Sequence, residues 1–348
     1  MAANIFSSLG RDLGIDIGTT YTRVFVEGRG IVLSEPSVVA TDTKQQDIVA
    51  VGYDAERMLH RTPESLKAMS PLKDGFIVDY RVTRAMLHYF MSKASLKAMR
   101  RSRVLLSVPS GITEVEKRAM TDAILQAGAR EAFLIESSTA AAFGAGLPVF
   151  DAIGSMVVDI GGGTTDVSVT SLGGVAVARS ARIGGNDFDA AVLRYIKDCF
   201  SVMVAERTIE EIKMKFGTVL QPEEGEKDEE YSFRARDART GLVRRIMLHR
   251  SEISRVLNEP LRGIVEVIKS VAERMPPELA ADISERGFSL TGGSAYLGGL
   301  GAVLSKEIGV PVRIPQDPET AVVNGLGIAL QEFPRLDRFI LAEKKRNI

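Results

Sequence analysis

The 348-residue chain reads as an α/β protein built from two related halves. Three observations carry that expectation. An Asp-Ile-Gly turn occurs twice, as Gly14-Ile15-Asp16-Ile17-Gly18-Thr19-Thr20-Tyr21-Thr22 and as Val157-Val158-Asp159-Ile160-Gly161-Gly162-Gly163-Thr164-Thr165-Asp166. Each turn closes an apolar strand and opens a second β-rich run, Val24-Phe25-Val26 in one copy and Val167-Ser168-Val169 in the other. Apolar strands and helical stretches then alternate through both halves, the pattern of α/β domains.

The elements follow in order. Leu13–Ile17, Thr22–Val26 and Ile31–Leu33 read as strand, hairpin and strand, with Gly28 and Gly30 at a turn. Val82, Met86, Tyr89 and Phe90 mark a helix over 80–95, and Val104–Val108 is a short buried strand stopped by Pro109. Thr113 with Glu116 has capping-box spacing for a helix ended by Ala127-Gly128-Ala129. Phe133–Ile135 reads as a strand, and Ser138–Gly144 as an Ala-rich helix suited to close packing. The second half repeats this logic. Strands fall at Met156–Asp159, Val167–Thr170 and Val175–Ser180, and a helix runs through Tyr195 and Ile196. Two β segments, Tyr231–Ala235 and Leu242–Leu248, precede a helix through Ile264, Val265 and Ile268. The strand Gly287–Leu290 breaks at Thr291-Gly292-Gly293-Ser294, after which another helix is expected.

Composition removes several function classes. At 45% hydrophobic and 26% charged, the chain is globular and long enough for two cores. Lys and Arg total 44 against 45 Asp and Glu, so no basic field attracts nucleic acid. The single Cys199 excludes an internal disulfide and points to a reducing compartment, while His60, His88 and His249 lack zinc-ligand spacing. No apolar run reaches the roughly 20 residues that span a bilayer, and the N-terminus lacks the basic lead of a secretory signal.

The chemistry of the paired turns is specific. Glycine lets backbone N–H groups approach an anion, and threonine hydroxyls add donors. Two copies, each led by an acid able to hold a hydrated cation, suggest a clamp on a metal-bound polyphosphate. The order of Gly- and acid-bearing segments at 16–22, 159–166, 206–213 and 291–295 resembles the superfamily of actins, heat-shock chaperones and sugar kinases. Within it the wording is similar to the MreB family of bacterial actins. The stretches that carry this are Gly30-Ile31-Val32-Leu33-Ser34-Glu35-Pro36-Ser37-Val38-Val39, Arg61-Thr62-Pro63, Val108-Pro109-Ser110-Gly111-Ile112-Thr113-Glu114-Val115-Glu116 and the second Asp-Ile-Gly turn. They place nearly the whole chain within the resemblance.

The resemblance implies an actin-like fold with two ribonuclease-H-like domains, 1–150 and 151–348, around a nucleotide cleft. Each would carry a smaller subdomain, at about 35–80 and about 190–255. It implies that Asp16 and Asp159 hold magnesium, largely through water. It implies that ATP is bound by Thr19, Thr20 and Tyr21, by Gly162, Gly163 and Thr164, by Glu210, Glu211, Ile212 and Lys213, and by Gly292, Gly293, Ser294 and Ala295. Without the resemblance, the charged helix at 206–213 would be a salt-bridged exposed face. It further implies a cytoplasmic protein that polymerises with itself on the inner face of the cytoplasmic membrane. Its partners would be cell-shape and cell-wall-synthesis proteins and other members of the family.

Departures from the family pattern matter as much. Where the family carries Ile-Glu-Glu-Pro, this chain reads Ile135-Glu136-Ser137-Ser138. The second Glu is expected to orient the attacking water, and Ser137 has no carboxylate to do so. Glu136 is the possible substitute, but in an extended strand it points to the opposite face. Tyr21 replaces Asn, Ser294 replaces Gly, and Asp166 stands where Glu is usual, either as a turn-capping acid or in positioning metal or water. Slowed hydrolysis is the expectation.

Ile5, Phe6 and Leu9 can share one face of a short N-terminal helix, and Leu96 and Met99 lie in a basic-apolar stretch with Arg100, Arg101 and Arg103. A solvated loop and a docked terminus explain both; the resemblance tilts them toward peripheral membrane contact. Two other classes compete with a cytoskeletal subunit. A kinase needs a substrate-binding acid in the cleft, for which no segment stands out. A chaperone needs a long region after the ATPase part, and few residues follow Gly325-Leu326-Gly327. A non-polymerising ATP-binding adaptor stays open as the alternative.

Overall fold

The computed structural model describes residues 11–45, 47–59, 65–95, 102–222 and 227–345. Two sheets of like winding organise it. The first has six strands in the order Ile340–Lys345, Glu131–Glu136, Arg103–Val108, Leu13–Ile17, Tyr21–Val26 and Gly30–Pro36. The second has five, in the order Gly174–Ala181, Thr165–Ser171, Ser155–Ile160, Phe288–Thr291 and Val312–Arg313. In both, three strands form an antiparallel meander, and two more join parallel to its first strand. All six residues of Ser155–Ile160 are buried, which suits its largely apolar wording, Ser155 and Asp159 apart.

The duplication holds residue by residue. Asp16 pairs across its hairpin with Arg23 and Ile17 with Thr22; Asp159 pairs with Asp166 and Ile160 with Thr165. Each hairpin is closed by the same bond, Gly18 N to Tyr21 O at 3.0 Å and Gly161 N to Thr164 O at 2.9 Å.

The expected helices form with extended limits, at Tyr80–Ser95, Glu114–Ala127, Ser137–Gly144, Gly185–Phe200 and Arg250–Ala272. The capping box is present: Glu116 N donates to Thr113 Oγ1 at 3.3 Å and Thr113 N to Glu116 Oε2 at 2.9 Å. A short 3₁₀ turn at Gly293–Tyr296 leads into the helix expected after this break, which runs over Leu300–Ile308. The strand Ile340–Lys345, placed by sequence order with the second half, pairs antiparallel with Glu131–Glu136 and so extends the first sheet.

The helices Ser137–Gly144 and Ala321–Gln331 occupy matching places after the last parallel strand of each sheet and cross at the centre of the molecule. A methyl group on Gly144 would lie 1.8 Å from Ala321 O, and one on Gly325 would lie 1.7 Å from Ala140 O. The contact is reciprocal, as expected of a duplicated fold. Buried Leu326, Ala329 and Phe143 seal it into one core between the sheets. Smaller sheets sit outboard, one of Val39–Asp42, Ile48–Val51 and Leu66–Met69, the other of Val202–Met203, Glu230–Asp237 and Val243–His249.

Candidate functional site

The two Asp-Ile-Gly hairpins project from their sheets toward each other and bound a cavity of about 480 Å³. They meet closely. A Cβ on Gly162 would lie 2.1 Å from Thr20 Oγ1, and one on Gly163 would lie 2.7 Å from Thr19 Oγ1. Only glycine lets the second turn approach the hydroxyls of the first. The opening of helix Gly185–Phe200 is bonded to the second turn, Gly185 N to Gly161 O at 2.9 Å and Asn186 N to Gly162 O at 2.8 Å. On the first turn, Ser37 Oγ donates to Gly18 O at 2.6 Å.

Five acidic side chains line the cavity, Asp16, Asp159, Asp166, Glu210 and Glu319, and each of the three aspartates accepts a hydrogen bond. Ser107 Oγ donates to Asp16 Oδ1 at 2.9 Å, Thr291 Oγ1 to Asp159 Oδ1 at 2.7 Å, and Ser110 N to Asp166 Oδ1 at 2.9 Å. Burial raises all three aspartates above the ordinary carboxylate range, against the Arg23 charge at Asp16 and Asp159 and the opposing hydrogen bonds. For Asp159 the rise reaches about 7, with the Asp166 and Asp16 charges adding to it. A cation bound beside them would displace such a proton to solvent and hold the carboxylate ionised. Among the described residues no group of three or more His, Cys, Asp or Glu could hold a metal ion by itself. A magnesium ion would therefore take most of its ligands from water and a bound phosphate, which suits that ion.

The far wall is formed by helix Glu206–Phe216 and the 287–297 segment. Lys213 Nζ donates to Asp189 Oδ2 at 2.7 Å and to Gly185 O at 3.0 Å. Gly292, at φ 86°, adopts a conformation that favours glycine, and a Cβ there would also meet Ile160 O at 2.3 Å. Ser294 Oγ donates to Gly161 O at 3.1 Å, so the extra hydroxyl braces the second turn. Met214, Tyr296 and Leu297 add the apolar surface a planar base would need.

Of the residues singled out from sequence, Asp16, Thr19, Thr20, Tyr21, Ser137, Asp159, Gly162, Gly163, Thr164, Glu210, Lys213, Gly292, Gly293 and Ser294 all line this cavity. Four do not. Glu211 points outward to Arg207 and Lys215, at 3.4 Å and 3.7 Å, because the helix turns it away from its neighbour Glu210. Ile212 and Ala295 are buried in the second core. Glu136 ends its strand outside the cavity wall, with Oε2 buried and unpartnered, and burial raises its pKa. It does not take the place that Ser137 holds. Ile5, Phe6, Leu9, Leu96 and Met99 lie outside the described residues.

Sequence reasoning missed Arg23 altogether and left Asp166 undecided. Both line the cavity. The signal for Arg23 was its register: counting back across the four-residue turn pairs it with Asp16.

Two like-wound sheets whose first hairpins close on one cavity define the actin-like class. Comparison with known proteins agrees. The crystal structure of MreB5 of Spiroplasma citri bound to ADP superposes with TM-score 0.87 at 30% identity, covering 93% of this chain and 97% of that one. The MamK double helical filament shares the fold, with TM-score 0.77 at 22% identity over 92% of this chain and 98% of that one. The family described as MreB/Mbl protein matches residues 10–338, and the chain belongs to that family. The cell shape-determining protein MreB of Escherichia coli K12 is 47% identical over 92% of this chain and 93% of its own length. The cell shape-determining protein Mbl of Bacillus cereus is 45% identical over 94% and 98%.

Proposed function

We propose that this protein is an ATP-binding cytoskeletal subunit that assembles into membrane-associated filaments, helps set cell shape by organising cell-wall synthesis, and hydrolyses ATP slowly. The carrying observation is the cavity closed from both sides by duplicated glycine-threonine turns, each led by an Asp in the cavity wall. Thr19, Thr20, Gly162, Gly163 and Thr164 would take the phosphates, and Asp16 and Asp159 a hydrated magnesium. The ion would supply charge neutralisation. Glu210, Lys213, Gly292, Gly293 and Ser294 would enclose the nucleoside. Relatives with ADP or AMPPNP bound support the ligand, and curated relatives named for cell shape support the role.

Hydrolysis is where this chain departs. Ser137 opens its helix at the cavity wall without a carboxylate, and the neighbouring Glu136 is not part of the cavity lining. A missing water-positioning acid typically costs ~10²–10⁴-fold in rate. Phosphate release on purified protein with magnesium should therefore be slow and should rise at least about tenfold in Ser137→Glu. Turnover like that of other family members, unchanged by the substitution, would defeat this part. Electron microscopy with ATP and anionic lipid tests assembly: filaments support a polymer subunit, whereas nucleotide binding with no filament favours an adaptor. Vesicle pelleting of a variant lacking residues 1–9 with Leu96 and Met99 replaced tests the membrane contact.

A further inference from the structure

Arg23 sits in the cavity as a cation without a salt bridge to a described acid. Arg23 and Lys213 are the two basic residues among its described lining. Lys213 is spent on Asp189 and Gly185 O. Arg23 forms no ion pair with a described acid, although it is the cross-strand partner of Asp16, and its one close partner is the face of Tyr21, 5.5 Å from the ring centroid. It is half-buried. Its charge opposes the effect of burial on Asp16 and Asp159 without a salt bridge to either.

The duplication sharpens the point. The residue at the same register of the second hairpin is Asp166, which is committed to a buried bond from Ser110 N at 2.9 Å. One half thus presents an anchored anion and the other a guanidinium that no salt bridge holds, flanking the two glycine-threonine turns. A half-buried guanidinium without a salt bridge keeps donors to spare, and its planar fork of donors matches phosphate oxygens. We infer that Arg23 is a direct ligand of the polyphosphate, gripping it from the first hairpin opposite the anchored Asp166. The inference rests on the nucleotide reading of the cleft. It adds a charge-assisted contact made by the side chain of this chain's own strand, beyond those of the turns. Together with Ser137 it describes a site that holds a nucleotide more firmly than it cleaves one.

The test is calorimetric titration of wild type, Arg23→Leu and Arg23→Lys with Mg-ATP, Mg-ADP and adenosine. Arg23→Leu should weaken Mg-ATP and Mg-ADP by about 10- to 100-fold, the range of a charge-assisted hydrogen bond. Adenosine affinity should hold, and Arg23→Lys should recover part of the loss as a point charge. Arg23→Met, which keeps an unbranched stem, replaces the leucine variant should that fold poorly. The salt dependence of Mg-ATP affinity should also flatten when the guanidinium is removed. Unchanged Mg-ATP affinity and salt dependence in the leucine or methionine variant overturn the inference alone. A wild-type protein that binds neither Mg-ATP nor Mg-ADP overturns it together with the nucleotide reading.

Discussion

The amide of Ser110, in the loop after strand Arg103–Val108, donates to the carboxylate of Asp166 on strand Thr165–Ser171 at 2.9 Å, and the bond is buried. It joins the two halves directly behind the cavity. Ser110 Oγ also lies 3.1 Å from Ser138 Oγ, at the start of the helix that carries Ser137. The backbone that sets the water-facing corner is thus held by an acid from the opposite half.

Asp166→Ala should cost about 1–3 kcal/mol, because it strands a buried N–H. Asp166→Asn keeps an acceptor oxygen and should cost less. Urea denaturation of the three proteins measures both, and equal midpoints would contradict the assignment.

The central helix crossing tolerates no side chain. With a Cβ 1.8 Å from Ala321 O, Gly144→Ala forces the two helices apart; Gly325→Ala meets Ala140 O at 1.7 Å from the other side. Each should destabilise by about 1–3 kcal/mol through overpacking. The effects should not add, since the first displacement relieves the second. A double-mutant cycle by denaturation decides this.

Gly162→Ala would place a methyl group 2.1 Å from Thr20 Oγ1, and the short threonine cannot swing clear as a long side chain would. The turns must separate, so the phosphate grip loosens while both cores stay intact. Nucleotide affinity measured by calorimetry is expected to drop by at least about tenfold, the equivalent of one lost hydrogen bond to a charged group. The melting temperature without nucleotide should barely move.

Asp159 makes stability depend on pH. Burial raises its pKa from 3.8 to about 7, so the folded protein favours the neutral acid. Its contribution to stability is full below 3.8 and is lost as pH rises through about 7. Nucleotide-free protein should therefore melt at lower temperature at about pH 8 than at about pH 5, and Asp159→Asn should flatten that slope. Thermal scans across pH report it. A steeper slope in the asparagine variant would reverse the sign.

Much of the site was legible because duplication leaves a local signature. The paired turns could be aligned by eye, and their strands were apolar enough to read as buried. The charged helix Glu206–Phe216 was less transparent. Glu210 and Glu211 are adjacent in sequence, yet one faces the cavity and the other solvent, since successive residues diverge around a helix. Arg23 was passed over because a single arginine in a strand carries no signal until its partner across the hairpin is known.

The sequence by itself determined the α/β class, the two-fold repetition, the acids that lead each turn and the absence of a carboxylate at Ser137. These depend on local spacing and residue chemistry. Tertiary structure alone decided that Ile340–Lys345 completes the first sheet, that Gly144 and Gly325 meet, and that Arg23 shares a cavity with Asp166. Each joins segments far apart in the chain, and their proximity comes from packing two cores against one another. No local pattern encodes that geometry.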